Sequence, residues 1–431
     1  MHKIERLLQT LAPKGVEFRK LGEVILSLKT GLNPRKFFKL NTPNANNYYV
    51  TVRELEEYTI KFTHQTDRID DNALSLCLKR SNLEKDDILF SGTGTIGKVS
   101  IIKENPNNWA IKEGVYSIKP NKKIVFPRFL MFCFENSHIQ NDIKSKSFGG
   151  TVKSISMNDL KQITIPIPPL EIQQEIVKIL DAFTELNTEL NTELKARKKQ
   201  YEYYQNMLLD FNDINSNHKD AKMSVKTYPK RLKTLLQTLA PKGVGFRKLG
   251  EVLEYDQPNQ YCVTSKEFDK SYPTPVLTAG KTFILGYTNE KDNIYQASKN
   301  APVIIFDDFT TATQWVDFPF KVKSSAMKIL FSKNPTINIR FIFFYMQTIP
   351  YNIGGEHARH WISRYSQLEV PIPPLEIQQE IVKILDQFSA LTTDLLAGIP
   401  AEIKARKKQY EYYREKLLTF KPLTPHKEVK K

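Results

Sequence analysis

The chain repeats long parts of its own sequence, and this internal repeat limits the possible folds more than any other feature. Three blocks occur twice, and the copies differ at one position, where Glu17 is replaced by Gly245. The blocks are LLQTLAPKGVEFRKLGEV (residues 7–24 and 235–252), PIPPLEIQQEIVKILD (166–181 and 371–386) and KARKKQYEYY (195–204 and 404–413). Chance does not produce such long identities, so the chain consists of two halves built on one frame.

The stretches between the shared blocks have little sequence in common. A tandem duplication without functional meaning would have kept these interiors similar as well, whereas a kept frame with diverged interiors is expected of one scaffold carrying two interchangeable recognition domains. Joining the C-terminus to the N-terminus would reproduce the block order found in mid-chain, which predicts a pseudo-two-fold molecule with its ends close together. The predicted segments are a shared N-terminal segment (1–24), recognition domain 1 (25–165), a central helix (166–210), a linker with the repeated segment (211–252), recognition domain 2 (253–370), a C-terminal helix (371–420) and a tail (421–431).

The helical blocks predict two unusually long helices. Apolar residues recur at three- and four-residue steps across 171–210 without an interrupting proline or glycine, which indicates one helix about 60 Å long. Its copy runs from Leu375 to about Phe420, and Gly398 and Pro400 should kink or break it. We expect the two helices to form an antiparallel coiled coil between two globular domains, because two separate surface helices would leave so long an apolar stripe uncovered.

Inside the first long helix the tetrapeptide TELN recurs, and each unit adds about one helical turn, or ~6 Å. The repeat is a candidate spacer whose length sets the separation of the two domains; slippage of low-complexity coding sequence is the alternative explanation. The residues of the candidate spacer are Thr184, Leu186, Thr188, Leu190, Thr192 and Leu194.

The charge of the chain favours a polyanionic partner. Lys and Arg number 63 against 47 Asp and Glu, a formal net charge of +16, and the basic residues are spread along the sequence. Nucleic acid is a better candidate than a membrane, because no apolar run approaches the roughly 20 residues needed to span a bilayer. The three cysteines are far apart and suggest neither disulfides nor a zinc site. The N-terminus predicts an amphipathic helix and no signal peptide, so we expect a cytoplasmic protein.

The variable stretches predict mixed α/β domains rich in strand. In the first, DDILFSGTGTIGKVSII (86–102) indicates a strand, a glycine-rich turn and a second strand. The turn formally matches GxGxxG and GxxxxGK, but Val99 replaces the Ser or Thr of a P-loop and a strand pattern follows Lys98. A tight turn able to approach a phosphate is the preferred interpretation. The second stretch has a comparable strand, PVIIFDDFTTATQW (302–315).

A glycine pair precedes the PIPP block by 17 residues in both halves: Gly149 with Gly150, and Gly354 with Gly355. TVKSIS follows one pair and EHARHWISR the other, so matching positions carry different polar and basic residues, as elements that read different bases should. A solvated basic loop is the alternative, and a metal site at His357 and His360 lacks a third ligand. The candidate DNA-contacting residues are Arg35, Lys36, Ser91, Thr93, Thr95, Lys98, Lys153, Ser154, Lys281, Thr310, Thr311, Gln314, His357, Arg359, His360 and Arg364.

Together, the PIPPLEIQQEIVKILD and KARKKQYEYY blocks, GTGTIGKVSI and the glycine pair resemble the specificity subunits of type I restriction-modification systems over nearly the whole chain. The resemblance implies two target-recognition domains, each reading half of an interrupted double-stranded DNA site. It further implies two adenine methyltransferase subunits and restriction (nuclease-translocase) subunits as partners, with S-adenosylmethionine, ATP and Mg²⁺ belonging to them. In some members the number of tetrapeptide repeats sets the DNA spacer.

The residues of the chain also favour catalysis by partner subunits and not by this chain. No NPP followed by an aromatic residue, as an adenine methyltransferase requires, is present, and no carboxylate cluster with a lysine suggests DNA cleavage. We therefore expect no catalytic, cofactor-binding or metal-binding residues in this chain. Two alternatives remain: a coiled-coil adaptor or non-specific DNA-binding protein, and a nucleotide-dependent enzyme built on the turn at 92–98.

Overall fold

The computed structural model describes residues 2–211, 228–278, 282–350, 359–393 and 398–423. The chain divides into two compact units, named here unit 1 (Met1–Leu190 with Ile403–Lys431) and unit 2 (Asn191–Glu402). Each unit therefore combines one variable stretch with shared blocks from both halves of the sequence.

The elements up to residue 209 are α1 (His2–Leu11), β1 (Glu17–Lys20), α2 (Leu21–Val24), β2 (Ile25–Thr30), α3 (Pro34–Phe37), β3 (Asn47–Val50), β4 (Leu55–Glu56), β5 (Thr59–Ile60), β6 (Arg68–Ile69), α4 (Asp71–Ser81), β7 (Ile88–Ser91), β8 (Val99–Ile101), β9 (Trp109–Ile111), β10 (Val115–Pro120), α5 (Pro127–Cys133), α6 (Ser137–Ser145), α7 (Met157–Lys161), β11 (Thr164–Ile167) and α8 (Leu170–Leu209). The later elements are α9 (Lys230–Leu239), β12 (Gly245–Lys248), α10 (Leu249–Val252), β13 (Glu254–Asp256), β14 (Thr274–Leu277), β15 (Ile284–Thr288), β16 (Val303–Asp307), β17 (Thr313–Val316), β18 (Lys321–Val322), β19 (Met327–Phe331), α11 (Ile339–Met346), β20 (Glu369–Ile372), α12 (Leu375–Thr393) and α13 (Ile399–Leu418), with 3-10 turns at Pro258–Tyr261 and Tyr365–Gln367.

The two units share two sheets of the same strand order although their variable stretches differ in sequence; unit 1 also has the two-stranded antiparallel pair β4–β5. Each has a four-stranded antiparallel sheet, in the order β2-β10-β7-β8 in unit 1 and β13-β19-β16-β17 in unit 2. Each also has a mixed three-stranded sheet, β6-β3-β9 and β15-β14-β18, in which the central strand pairs antiparallel with the first and parallel with the last. The prediction of two mixed α/β domains is confirmed.

The shared blocks close each unit in the same way. β1 and β11 pair antiparallel in unit 1, and β12 and β20 pair antiparallel in unit 2, so the ends of each variable stretch are brought together by frame residues. A buried helix, α5 or α11, packs in the apolar core beneath the four-stranded sheet. Pro127 starts the first of these helices and the Asn338 side chain caps the second, accepting hydrogen bonds from two main-chain N–H groups.

A frame glutamine anchors each of these buried helices. Gln173 is fully buried; its Oε1 accepts from the Phe126 main-chain N–H at 2.7 Å, and its Nε2 donates to the Ile124 and Pro168 carbonyls at 3.0 and 2.7 Å. Its counterpart Gln378 makes the same three bonds in unit 2, at 2.8, 3.0 and 2.7 Å. A buried amide needs such partners, so these bonds fix where the variable stretch meets the frame.

The long helix α8 is continuous over 40 residues. In unit 1, its Phe183 stacks on Tyr413 of α13; in unit 2, its Tyr204 stacks on Phe388 of α12. Each half of α8 therefore packs against a helix of the second half of the chain within its own unit. As predicted, the copy of α8 is interrupted: α12 ends at Thr393 and α13 starts directly after Gly398.

The two ends of the described chain pair within unit 1. The Val16 N–H donates to the Lys421 carbonyl at 2.8 Å, and the Leu423 N–H donates to the Val16 carbonyl at 2.9 Å. The closed order of the shared blocks therefore corresponds to a physical contact. Cys77 and Cys133 are buried free thiols and Cys262 is half-buried. Among the described residues, no helix combines the length and apolar character needed to cross a membrane.

Candidate nucleic-acid interface

The glycine-rich turn of unit 1 joins two antiparallel strands, β7 and β8. Its shape is held from inside by Ser91, whose hydroxyl accepts from the Lys98 N–H at 2.8 Å and donates to the Thr95 carbonyl. A P-loop requires a helix after its lysine, so this strand-turn-strand geometry does not form one. The turn presents Thr93, Thr95 and Lys98 as exposed side chains.

A second loop, 148–154, carries the glycine pair. The Phe148 and Ser154 main chains exchange two hydrogen bonds of 2.8 Å, so one antiparallel bridge closes the loop. Gly149 turns the chain directly after Phe148 with φ +104°, and a Cβ there would lie 2.4 Å from the Val152 carbonyl oxygen. Glycine is therefore required at this position by both backbone conformation and space.

The turn and the loop are joined through their main chains. The Gly94 N–H donates to the Lys153 carbonyl at 2.8 Å, and the Ile155 N–H donates to the Gly92 carbonyl at 2.9 Å. The Ser154 hydroxyl lies 3.4 Å from that of Thr93. We call this arrangement of residues 92–98 and 148–155 the unit 1 junction; it contains five predicted contact residues, Thr93, Thr95, Lys98, Lys153 and Ser154.

A third segment continues the same surface. The Gly92 N–H donates to Gly114 at 2.8 Å, and the Gly114 N–H donates to the Thr30 hydroxyl at 3.1 Å. Thr30 ends β2, and the next helix, α3, carries Arg35 and Lys36 as exposed side chains. The predicted basic residues of α3 thus follow a strand that reaches the junction.

Unit 2 builds a corresponding junction from the β16–β17 turn and the segment at 359–364. The His360 N–H donates to the Asp308 carbonyl at 2.9 Å, and the Trp361 N–H donates to Asp308 Oδ1 at 2.8 Å. Asp308 is buried, and its Oδ2 lies 3.8 Å from the buried Lys328 ammonium. Burial lowers the pKa of Lys328, an effect partly opposed by the Asp308 charge. We call residues 307–314 and 359–364 the unit 2 junction.

Four predicted contact residues are exposed at the unit 2 junction, and a fifth is half-buried. Thr311 is the half-buried one and adopts a left-handed backbone with φ +58°, while the Thr310 hydroxyl donates to the Asp307 carboxylate. The exposed residues are Thr310, Gln314, Arg359 and Arg364. Lys281 and His357, and the glycine pair at 354–355, lie outside the described residues.

Two expectations for DNA contact need correction. Ser91 is fully buried and both functions of its hydroxyl are used inside the turn, so its role is to shape the turn. His360 is 7% exposed because the neighbouring Trp361 packs edge-on against Phe306, with ring centroids 5.3 Å apart, and draws the main chain inward. No group of three or more His, Cys, Asp or Glu suited to a metal occurs in the described ranges.

Sequence reasoning missed Asp308 as the organiser of the unit 2 junction. A carboxylate is not expected at a basic surface, and its role depends on hydrogen bonds to main-chain groups far along the chain. It also missed the exposed apolar residues at both junctions, Phe148 and Val152 in unit 1 and Phe309 and Ile362 in unit 2. The available sequence signal for their exposure was the position of Phe148 and Val152 beside the glycine pair and of Phe309 in the strand turn.

The TELN repeat lies in uninterrupted helix, and the boundary between the two units falls directly after Leu190. Leu190 is buried, whereas Thr188 and Thr192 are exposed. Thr184, Leu186 and Leu194 are half-buried. Adding or removing one TELN unit therefore changes the length of α8, a helix that contributes residues to both units.

The sequence matches the family model of the type I restriction modification DNA specificity domain twice, at residues 13–199 and 241–405. The chain belongs to this family. The two matches correspond to the two copies of the frame and their enclosed variable stretches.

Relatives carry the same family description. The chain is 55% identical over 183 residues to the type I restriction enzyme EcoR124I/EcoR124II specificity subunit of Escherichia coli, covering 40% of this chain and 44% of that one. It is 31% identical over 277 residues to a putative type I restriction enzyme specificity subunit of Haemophilus influenzae, covering 61% and 65%. The chain thus matches less than two thirds of the length of either relative.

Solved structures support the fold over nearly the full length. The crystal structure of a type I restriction-modification S subunit from M. genitalium aligns with a TM-score of 0.58 at 17% identity, covering 94% of this chain and 96% of that one. At this identity the likeness shows a shared fold.

Proposed function

We propose that the chain is the DNA-reading subunit of a type I restriction-modification complex, and that each junction reads one half of an interrupted site. One observation carries the proposal: two units whose main sheets have the same strand order present different polar side chains at corresponding junctions. Unit 1 offers Thr93, Lys153 and Ser154, and unit 2 offers Gln314 and Arg359. Two different half-sites require such a pair of surfaces on one scaffold.

The chemistry of the exposed side chains suits this role. Lys153 and the basic residues of α3 can neutralise phosphates, which supplies affinity and orientation without sequence information. Arg359 and Gln314 have the donor geometry for guanine and adenine edges, respectively. The net charge of +16 supports association with a polyanion.

Catalysis in this proposal belongs to other subunits. Two methyltransferase subunits would dock on the shared frame, and nuclease-translocase subunits would join them for restriction. S-adenosylmethionine, ATP and Mg²⁺ would be bound by those partners. A solved structure concerned with complex assembly of the type I R-M system aligns with this chain at a TM-score of 0.51 and 16% identity, covering 94% of this chain and 97% of that one.

Methylated-base sequencing of cells that carry this gene with its methyltransferase tests the proposal. The expected result is an asymmetric, two-part adenine motif. Replacing Lys153 and Ser154 by Ala should relax only one half of the motif, and replacing Gln314 and Arg359 by Ala only the other. The exposed Gln174 on the frame helix, changed to Ala, serves as the control and should alter neither half.

Two outcomes would contradict the proposal. Absence of any two-part motif, together with DNA binding that lacks sequence preference in the presence of the methyltransferase, would favour an adaptor. Relaxation of both half-sites by one set of substitutions would show that the junctions do not read separate halves.

A further inference from the structure

We propose that a pair of exposed apolar side chains at each junction contacts thymine C5-methyl groups in the major groove. The pairs are Phe148 with Val152 in unit 1 and Phe309 with Ile362 in unit 2. This inference rests on the proposed DNA-reading function and specifies how part of the reading is done.

The unit 1 pair stands on a rigid support. Phe148 is 57% exposed and Val152 is 60% exposed, both within the seven-residue loop 148–154. That loop is closed by the paired main chains of Phe148 and Ser154 and joined to the glycine-rich turn by the main-chain N–H groups of Gly94 and Ile155. Large apolar side chains that are fixed in place and left in water indicate a contact made only when a partner binds.

Unit 2 places a similar pair at the corresponding junction. Phe309 is 37% exposed, and its N–H donates to Asp307 Oδ1 at 3.0 Å, which fixes the turn that carries it. Ile362 is 64% exposed and directly follows the buried Trp361. The two pairs occupy different parts of their junctions: Phe148 and Val152 both lie in the loop 148–154, whereas Phe309 lies in the β16–β17 turn and Ile362 in the segment 359–364.

The surroundings of the pairs select DNA as the partner. Lys153 lies in the unit 1 loop, and Arg359 and Arg364 lie in the unit 2 segment, all exposed. Basic residues beside an apolar pair complement a groove whose walls are phosphates. The major groove is the wider of the two grooves, and the thymine methyl is the one apolar group on its base edges. The minor groove offers no methyl group, and an apolar residue there would act as a wedge that kinks the duplex.

The test uses the full chain with its methyltransferase and duplexes containing the motif found by methylated-base sequencing. Every thymine of both half-sites, on both strands, is replaced in turn by deoxyuridine, which lacks the methyl group. Each half-site contains at least the thymine opposite its target adenine. Loss of one buried methyl should weaken binding about fourfold at one or more positions of each half-site.

Substitutions assign the effect to the proposed side chains. With Phe148 and Val152 both changed to Ala, binding should weaken and become insensitive to deoxyuridine in one half-site while staying sensitive in the other. The Phe309→Ala, Ile362→Ala variant should show the reverse. Leu26→Ala is the matched control, because Leu26 is 65% exposed in unit 1 but lies at the end of β2 away from Thr30, and it should change neither.

Three results would overturn the inference. Equal deoxyuridine sensitivity in the variant and the unchanged chain would show that these side chains do not touch methyl groups. Loss of DNA bending without loss of methyl sensitivity would identify them as wedges. Absence of a two-part motif for the unchanged chain would refute the DNA-reading function itself. This failure can be told apart from failure of the methyl-contact inference, because it is seen with the unchanged chain before any variant is made.

Discussion

Replacing Gln173 by Met should weaken the attachment of the variable stretch of unit 1 to the shared frame. Methionine has nearly the same length as glutamine but offers no amide. The substitution therefore keeps the packing of the fully buried side chain and removes its three hydrogen bonds, to the Phe126 N–H and to the Ile124 and Pro168 carbonyls.

The expected cost follows from those three groups. Each is a main-chain donor or acceptor left without its partner in the interior, at about 1–3 kcal/mol per group. Partial relaxation reduces the sum, so unit 1 should lose about 3–6 kcal/mol of its free energy of unfolding. Because a domain typically has about 5–15 kcal/mol in total, this is a large fraction of its stability.

Hydrogen exchange measured by mass spectrometry on the full chain localises the effect. Peptides from 124–134 should exchange faster by several orders of magnitude, while peptides from 336–346 keep their protection. Gln378→Met should reverse this pattern. The adjacent glutamines, Gln174 and Gln379, are exposed, and the same change there should leave both units unaffected.

The reasoning would be refuted if Gln173→Met and Gln174→Met had equal effects, or if Gln173→Met loosened both units alike. The first result would mean that the buried amide bonds contribute nothing net. The second would mean that the variable stretches do not depend on separate anchors.

Three further predictions concern other parts of the chain. Burial raises the pKa of Asp87 to about 6 from an ordinary 3.8, so the folded state holds the proton more tightly than the unfolded state. Stability of unit 1 should fall by about 3 kcal/mol as pH rises from about 4 to about 6, and Asp87→Asn should remove that fall in urea unfolding at pH 4.5 and 7. Deleting one TELN unit, 188–191, shortens α8 by ~6 Å and should shorten the DNA spacer by one or two base pairs; altered half-sites in the methylated motif would contradict this. Gly31→Ala places a Cβ 1.8 Å from the Ile111 carbonyl oxygen and should lower stability by about 1–3 kcal/mol or more in thermal unfolding, whereas Gly245→Ala, which meets nothing within 4 Å, should not.

Much of the architecture follows from patterns that are local in sequence. The repeated blocks predict two equivalent units, the uninterrupted apolar stripe predicts α8, and Gly398 with Pro400 predicts the break between α12 and α13. The strand-turn-strand interpretation of 86–102 also holds, because Val99–Ile101 pair antiparallel with β7 across the turn. Such features depend on residues close together in the chain.

Side-chain exposure at the junctions could not be predicted in the same way. All four residues of β7 are buried, so the alternation that would reveal an inward Ser91 is absent. His360 is drawn inward by the contact between Trp361 and Phe306, which lie on different elements. A composition-based assignment treats polar residues in a basic loop as exposed, and only the tertiary contacts show which of them are.

The hydrogen bonds explain how one frame can carry two such different domains. Gln173 and Gln378 bind main-chain atoms of the variable stretches, and the loops of the unit 1 junction are joined by main-chain bonds, so side chains there can change without loosening either contact. One side-chain contact with the frame is the same in both halves: Arg128 donates to Asp181 and Arg340 donates to Asp386, each through Nε at 2.9 Å. Unit 1 adds a contact of its own, because the Tyr410 hydroxyl lies 2.8 Å from that of Tyr58. The scaffold therefore constrains the backbone and a few buried side chains of each domain, and leaves the exposed junction residues free to specify a half-site.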